Sequence, residues 1–415
     1  MMQKKDYLYT KRAAYFSYLA MSTVFSLPPL LFGAFRELYD ISYTLLGTLV
    51  LINFSIQLIV DLIFSFFSKY FNSHMTIRVM PLVTSLGLCL YAVVPVLFPQ
   101  YAYAGLVVGT VVFSVASGLA EVLVSPMIAA LPSDHPERDM SNLHSLYAYG
   151  FVSVVVISTL FLRFIGIENW MYLAFFWAAL PVIASVLLHR AVLPEMNTEQ
   201  GVQTKEKTKY RTKGLLLCMA CIFLGAAAEN TMANWISVYV EKALALPKVW
   251  GDLLGMSAFA IVLGLTRTVY AKYGKNIFKV LMWGMTAASV CYLIIVFSKN
   301  TVVSVAACVL VGLCTSMLWP GTLILMEEKI PNVGVAAYAL MAAGGDCGSS
   351  VAPQLLGGVV DIVTESPWAA RTGAVLSLSA EQIGMKAGML SAAMFPILGV
   401  LVLLVMKRFF KRAAC

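Results

Sequence analysis

From residue 13 to residue 407 the chain repeats one pattern, an apolar run of roughly twenty to thirty residues followed by a polar connector that is usually short. A hydrocarbon core of roughly 30 Å takes about 20 helical residues to cross, so each run is a candidate membrane span. Twelve runs qualify, near 13–36, 43–67, 76–98, 102–131, 141–164, 169–190, 214–240, 249–272, 277–297, 301–326, 334–361 and 384–407. They are too long and too continuous for the alternating segments of about ten residues that build an outer-membrane barrel. The expected fold is all-α and integral to the membrane, with 12 transmembrane helices.

Composition agrees. The 415 residues are 60% hydrophobic and only 12% charged, with a mean hydropathy of +0.83; a globular chain is about a quarter charged. The first run follows a basic start but is too long for the apolar core of a signal peptide and lacks a small-residue cleavage site, so it reads as the first span.

Lys and Arg near span ends set orientation. They collect at Lys4, Lys5, Lys11 and Arg12, at Lys69 and Arg78, at Lys205, Lys207, Lys209, Arg211 and Lys213, at Lys272, Lys275 and Lys279, and at Lys407, Arg408, Lys411 and Arg412. With twelve spans all of these fall on one side, which predicts an inner-membrane protein with both termini in the cytoplasm. The connector "PSDHPERDM", residues 132–140, is mostly acidic on that same side; acidic residues weigh little in this rule. The net charge of +8 sits at membrane edges, where it meets anionic headgroups, and no nucleic-acid partner is expected. Seven of the eight cysteines lie in apolar runs and Cys415 ends the chain, so no disulfide framework is implied. "CMAC", Cys218 and Cys221, has metal or redox spacing but no second pair and no nearby His, and reads as packing.

The long polar segment "PEMNTEQGVQTKEKTKYRTKG" splits the spans six and six. The expected organisation is an N-terminal bundle over 1–193, a cytoplasmic linker over 194–213 and a C-terminal bundle over 214–415. Span 2 ends "DLIFSFFSKYFNSH" and span 8 ends "GLTRTVYAKYGKNI", so that Lys69-Tyr70 overlies Lys272-Tyr273; "GLAEVLVSPMIAALP" likewise resembles "SMLWPGTLILMEEKIP", with Pro132 over Pro331. Two six-span halves joined by a basic linker resemble the major facilitator superfamily over nearly the whole chain. The signature loop of that superfamily after span 2 is degenerate here, "SFFSKYFNSHMTIR" keeping Lys69 without the usual glycine and aspartate. The resemblance implies two pseudo-symmetric six-helix bundles that rock around a central site near the bilayer midplane. It also implies a monomer, because a two-half carrier needs no second chain to form its site.

A charge inside a span is costly, about 2.5–3.5 kcal/mol on the mildest scale, and usually faces the bundle interior or a water-filled cavity. Span 4 places Ser114, Ser117, Glu121 and Ser125 on one helical stripe. Glu121 is a candidate proton carrier, against the alternative of a structural carboxyl bonded to a neighbouring helix. Span 2 carries Asn53, Gln57 and Asp61 at i, i+4 and i+8; the two amides suit a polar solute, and Asp61, nearer the end, suits a gate contact or a transport role. Span 7 reads "AAAENTMANWISVYVEK", placing Asn230, Asn234 and Ser237 on one stripe beside Glu229 and Trp235. Amides beside an aromatic face suit a hydroxyl-rich ring; helix–helix bonding by Asn is the competing reading. Span 10 adds Thr315, Trp319 and Thr322, with Trp319 open between core and pocket. Span 11 adds Asp346, Ser349 and Ser350 among glycines, with Asp346 and Glu229 as further proton sites. Arg267 in span 8 is expected to pair with a carboxylate or a helix end at a gate. His144, at the start of span 5, could relay protons near neutral pH or simply cap the bundle.

"GLAEVLVSPMIAALP" followed by "NLHSLYAYG" resembles the fucose:proton symporter family within the superfamily. On that resemblance Glu121 matches the proton-coupling glutamate of span 4, and Asn142 and His144 match the start of span 5. The chain departs from the family where Ser125-Pro126 replaces Asn-Pro and where span 1 has no acidic residue, which argues against fucose itself and leaves room for a relative with another polar substrate.

There is no Gly-x-x-x-x-Gly-Lys-Ser/Thr loop, no HExxH and no serine-hydrolase elbow, so neither ATP-driven transport nor a membrane enzyme is expected, and no cofactor. Lone carboxylates on different spans do not make a channel's selectivity ring. The first reading is therefore a proton-coupled symporter of a small polar solute such as a sugar, its partners being that solute, protons and the lipid bilayer. An exporter of amphipathic compounds, favoured by 23 Phe and 21 Met, is the alternative; a non-transporting receptor or scaffold is the third. The segment 362–383 is expected to be a connector rather than a lid.

Overall fold

The computed structural model describes residues 4–67, 70–133, 136–194, 208–330 and 335–412. The elements are α1 Lys4–Tyr39, α2 Tyr43–Phe67, α3 Ser73–Leu97, α4 Ala102–Ala130, α5 Pro136–Ile165, α6 Trp170–Arg190, α7 Thr208–Val238, α8 Lys248–Trp250, α9 Ala258–Tyr273, α10 Ile277–Phe297, α11 Thr301–Thr315, α12 Leu318–Lys329, α13 Val335–Thr364, α14 Pro367–Leu376 and α15 Ala380–Arg412. Wide π turns over Tyr239–Ala243 and Gly251–Ser257 join α7 to α9. No strand occurs among the described residues. Among the described residues, eleven helical segments are long and apolar enough to cross a membrane. At 30 residues α13 is long enough too, but it carries Asp346, Ser349, Ser350, Gln354 and Asp361 and does not join the apolar eleven.

Two elements depart from the sequence expectation. The tenth run is one apolar stretch, yet its helix breaks at Ser316–Met317, between α11 and α12. Pro320 is the cause: it has no N–H to give the carbonyl four residues back, which is that of Ser316. Segment 362–383, expected as a connector, completes α13 and then holds α14, capped by Ser366 at its start.

The chain divides into two compact units, residues 1–41 with 52–198, and residues 42–51 with 199–415. Of the expected linker 194–213, residues 195–207 lie outside the described residues.

In the first unit α3 and α4 pack backbone to backbone. A Cβ on Gly109 would sit 2.6 Å from the Cα of Tyr91, closer than any side chain tolerates. That approach seats Tyr91 against Phe35 and Trp170, with ring centroids 5.7 and 6.3 Å away, and Phe35 meets Trp170 edge-on at 5.0 Å. Such pairs add about 0.5–1.5 kcal/mol each beyond area burial. Beyond α6 the extended segment 191–194 is strapped down. Thr10 Oγ1 donates to the Val192 carbonyl at 2.8 Å, Arg78 donates to that of Ala191 at 3.4 Å, and His74 Nε2 lies 3.0 Å from that of Pro194.

In the second unit Tyr239 and Tyr292 tie α7 and the π turn that follows it to α10, donating to the carbonyls of Ile295 at 2.8 Å and Ala228 at 2.7 Å. Lys386 on α15 closes the end of α10 by donating to the carbonyls of Val296 and Ser298 at 2.9 and 3.2 Å, where cations favour a helix C-terminus. Residues 42–51 belong to this unit for a definite reason. The carboxylate of Asp361 on α13 accepts the backbone N–H groups of Tyr43 at 3.2 Å and Thr44 at 2.6 Å, the unsatisfied donors at the start of α2. Tyr43 OH donates to Glu381 at 2.6 Å. Gly357 permits the approach, since its Cβ would stand 2.4 Å from the Tyr43 carbonyl oxygen.

Replacing Gly109 by Leu should push α3 from α4 and cost about 1–3 kcal/mol. The expected readout is a lower apparent melting temperature in detergent, measured by size-exclusion after heating; an unchanged midpoint would refute the close-packed interface.

Candidate functional site

In the first unit the polar residues of α2 and α4 form one seam. Gly118 lets the two helices touch, its Cβ position lying 3.2 Å from Gln57 Cα. Ser114 donates to Asn53 Oδ1 at 2.7 Å, and Gln57 Nε2 donates to the same oxygen at 3.0 Å. Gln57 is fully buried, and its Oε1 and the buried Ser117 Oγ have no hydrogen-bond partner among the described residues. Buried polar atoms are normally satisfied, so two in one seam are informative. One to two turns along, a carboxylate oxygen of Asp61 and one of Glu121 lie within 4.8 Å of each other. Asp61 is buried and Glu121 half-buried. Two full negative charges that close would repel by about 3 kcal/mol at an effective dielectric constant of about 20, and a single proton or cation on the pair removes most of that. The sequence stripe on α4 therefore meets the stripe on α2. The side chain of Ser125, the last member of the α4 stripe, lies outside the described residues, as does that of His144.

Asn142 is not part of the seam's hydrogen bonds. It is exposed near the start of α5 and hydrogen-bonds the Tyr15 hydroxyl. Beside it is a cluster that the sequence did not disclose: Asp139 accepts from Lys11, from Ser133 and from the Tyr15 hydroxyl at 3.4 Å. Burial pushes the Asp139 carboxyl up, but the hydrogen bonds from Lys11 and Ser133 and the Lys11 charge outweigh it and hold the carboxyl below the usual aspartate range. Asp139 is thus the fixed partner of a basic residue on α1.

In the second unit Arg267 on α9 pairs with Glu229 on α7, one guanidinium nitrogen reaching both carboxylate oxygens at 2.9 and 3.2 Å. Its Nε donates to the Ser316 carbonyl at 2.8 Å, the group that Pro320 leaves free. The expected pairing of Arg267 with a carboxylate or a helix end is met by both at once. Asn230 donates to Ser349 Oγ at 2.8 Å across α7 and α13, and Asn234 turns back to the Asn230 carbonyl at 2.7 Å. Trp235 is sealed inside, its indole N–H donating to the Pro353 carbonyl at 3.2 Å and its ring 5.8 Å from that of Tyr43. Trp319 is half-buried and packs over Gly345, and Asp346 is buried on the same helix. A second buried carboxylate, Asp252, accepts from Ser237 and pairs with Lys248 at 3.5 Å. Sequence reading passed over it, although Ser237 was on the span 7 stripe.

Arg267→Ala should lower stability by about 1.5–3 kcal/mol, because it strands both Glu229 and the Ser316 carbonyl. Adding Glu229→Gln should recover part of the loss; a double variant no better than the single one in thermal melts would argue against the pairing. For Asp139 the depressed folded value means that its stabilisation is complete above the ordinary aspartate range near 4 and drains away as pH falls through the folded value. The melting-temperature gap between the wild type and Asp139→Asn should therefore be widest at neutral pH and narrow as pH falls below the ordinary aspartate range.

No curated protein sequence matches the chain. Solved structures do match its fold. A bacterial homologue of the human lysosomal transporter Spinster, crystallised inward-facing and occupied, aligns with a TM-score of 0.74 at 11% identity over 99% of each chain. A D-xylose–proton symporter aligns at 0.73 and 13% over 97% of each chain. The E. coli fucose:proton symporter aligns at 0.57 and 11%, covering 95% of this chain and 99% of its own. At such identities the likeness is one of fold. The profile of the Major Facilitator Superfamily matches residues 14–353, most of the chain. With its all-helical build and its apolar spans, the chain is a multi-pass membrane protein that belongs to the Major Facilitator Superfamily.

Proposed function

We propose that this protein is a secondary active transporter that works by alternating access and couples the uptake of a small polar solute, such as a sugar, to protons. The observation that carries the reading is the α2–α4 seam: two carboxylates within 4.8 Å next to the buried, unpartnered atoms of Gln57 and Ser117, all on helices that are otherwise apolar. A proton on Glu121 cancels the repulsion and lets the loaded carrier reorient without dragging a bare charge through an apolar closure. Asp346 and Glu229 are the further proton sites, Glu229 acting when Arg267 releases it. Asn53, Gln57, Asn142, His144, Asn230, Asn234, Trp235 and Trp319 bind the solute, and Asp61 and Arg267 gate. Trp235, sealed against Tyr43 and α13 here, meets solute in another state of the cycle. The D-xylose–proton and fucose:proton symporters among the structural neighbours support this reading.

In this reading α13 is the twelfth span, completing two six-helix bundles over 1–193 and 214–415 around a linker at 194–213. The protein is a monomer of the inner membrane with both termini in the cytoplasm, the side on which Lys and Arg collect.

The test is external pH in a weakly buffered suspension of de-energised cells that express the protein, while pooled hexoses, deoxyhexoses and amino sugars are added. Alkalinisation with the wild type, lost in Glu121→Gln at equal surface expression, is the expected outcome. No alkalinisation with the wild type would sink proton–sugar symport. Export of an amphipathic compound that survives Asn230→Ala with Asn234→Ala would put the alternative reading in its place.

A further inference from the structure

Helix α14 is built to be stable and is clothed for a surface other than water. Pro367 starts it, Ser366 Oγ accepts the Ala369 N–H at 3.1 Å, and Ser377 ends it in the left-handed region at φ 55°. One face is spent on the protein: Ala369 and Gly373, one turn apart, are buried, and α14 packs on α13 and α15. The rest looks outward. Trp368 is 58% exposed, Val375 83% and Leu376 47%, while Arg371 and Thr372 are the polar residues of "PWAARTGAVL". A water-facing helix of ten residues would carry charges where this one carries three large apolar side chains.

Position fixes the depth. Glu365 and Ser366 alone join α13 to α14, and Ser377, Leu378 and Ser379 join α14 to α15, so α14 lies level with the ends of two long helices. The same end of the unit shows a further apolar rim. Ile362 is exposed, and Phe297 and Val302 are exposed at the turn from α10 to α11 that Lys386 of α15 reaches. Trp favours the membrane–water boundary, and Arg keeps its stem in apolar surroundings while its guanidinium reaches polar groups.

We propose that α14 lies in the lipid–water boundary, with Trp368, Val375 and Leu376 among the first acyl carbons and the Arg371 guanidinium on a phospholipid phosphate. Under the orientation proposed above this is the exoplasmic leaflet, although the inference needs only that α13 and α15 end at the bilayer surface. The helix then anchors the end of α13 that carries Asp361, and so the start of α2, to the lipid. Guanidinium matches phosphate oxygens with paired hydrogen bonds, which an amide does not.

The experiment compares the wild type with Trp368→Phe, each reconstituted in vesicles of plain, then ring-near brominated, phosphatidylcholine. The difference emission belongs to Trp368. It should fall about twofold or more in brominated lipid and resist acrylamide in the outer water. A difference emission that acrylamide quenches and brominated lipid leaves unchanged overturns the proposal. With phosphatidylglycerol added, the emission of the wild type should shift further to the blue and that of Arg371→Gln should not. Equal shifts in the two would remove the phosphate contact. Reading Trp368 directly keeps the test independent of transport and of any loss of fold, which the far-ultraviolet circular dichroism of both variants reports.

Discussion

A proline in the middle of a membrane span frees a carbonyl that lipid cannot satisfy, and in the second unit Arg267 supplies what Pro320 takes away. One side chain thereby fixes three elements: α9, from which it projects, the break between α11 and α12, and α7 through Glu229. Bilayer interiors have no water to mend a backbone gap, so each irregularity needs a named donor or acceptor. Asp361 does this for the first N–H groups of α2, and Lys386 does it for the last carbonyls of α10. Three charged side chains of the second unit, Arg267, Asp361 and Lys386, are thus assigned to backbone that helices leave unfinished.

The α2–α4 seam combines two features that the backbone repairs do not. Asn53 already accepts two hydrogen bonds, yet Gln57 and Ser117 keep buried polar atoms in reserve beside a pair of like charges. Leaving a buried acceptor unmatched costs about 1–3 kcal/mol. In the α2–α4 seam that cost falls beside two carboxylates whose oxygens lie within 4.8 Å of each other.

Much of the fold was legible in the sequence because lipid imposes a length and a polarity on every span, and run lengths alone gave the helices. The α2 and α4 stripes were legible for a similar reason, since helical spacing places Asn53, Gln57 and Asp61 on one face whatever that face touches. What pairs with what was not. Nothing in "PSDHPERDM" announces that Asp139 meets Lys11, more than a hundred residues away, and a carboxylate such as Asp361 near the end of a run looks like any boundary residue. The broken tenth span had a local signal in Pro320, outweighed by an apolar run that continues on both sides. Helix α14 hid for the opposite reason, being too short for a span and too apolar for an ordinary loop. Trp235 illustrates a limit of residue type as a guide: an indole beside two amides reads as a sugar platform, while here it fills the interior against Tyr43 and the Pro353 carbonyl.

The strap formed by residues 191–194 bears on how the protein can be taken apart. Its three carbonyls are held by α1 and α3, so the first unit does not end where α6 ends. Severing the chain after Arg190, the natural choice from helix boundaries, would strip acceptors from Thr10, Arg78 and His74 and leave the N-terminal piece frayed at one end. A split placed beyond Pro194 leaves those bonds intact. Complementation by two separately expressed halves, or a fluorescent protein inserted in the middle of the chain, is governed by that four-residue difference.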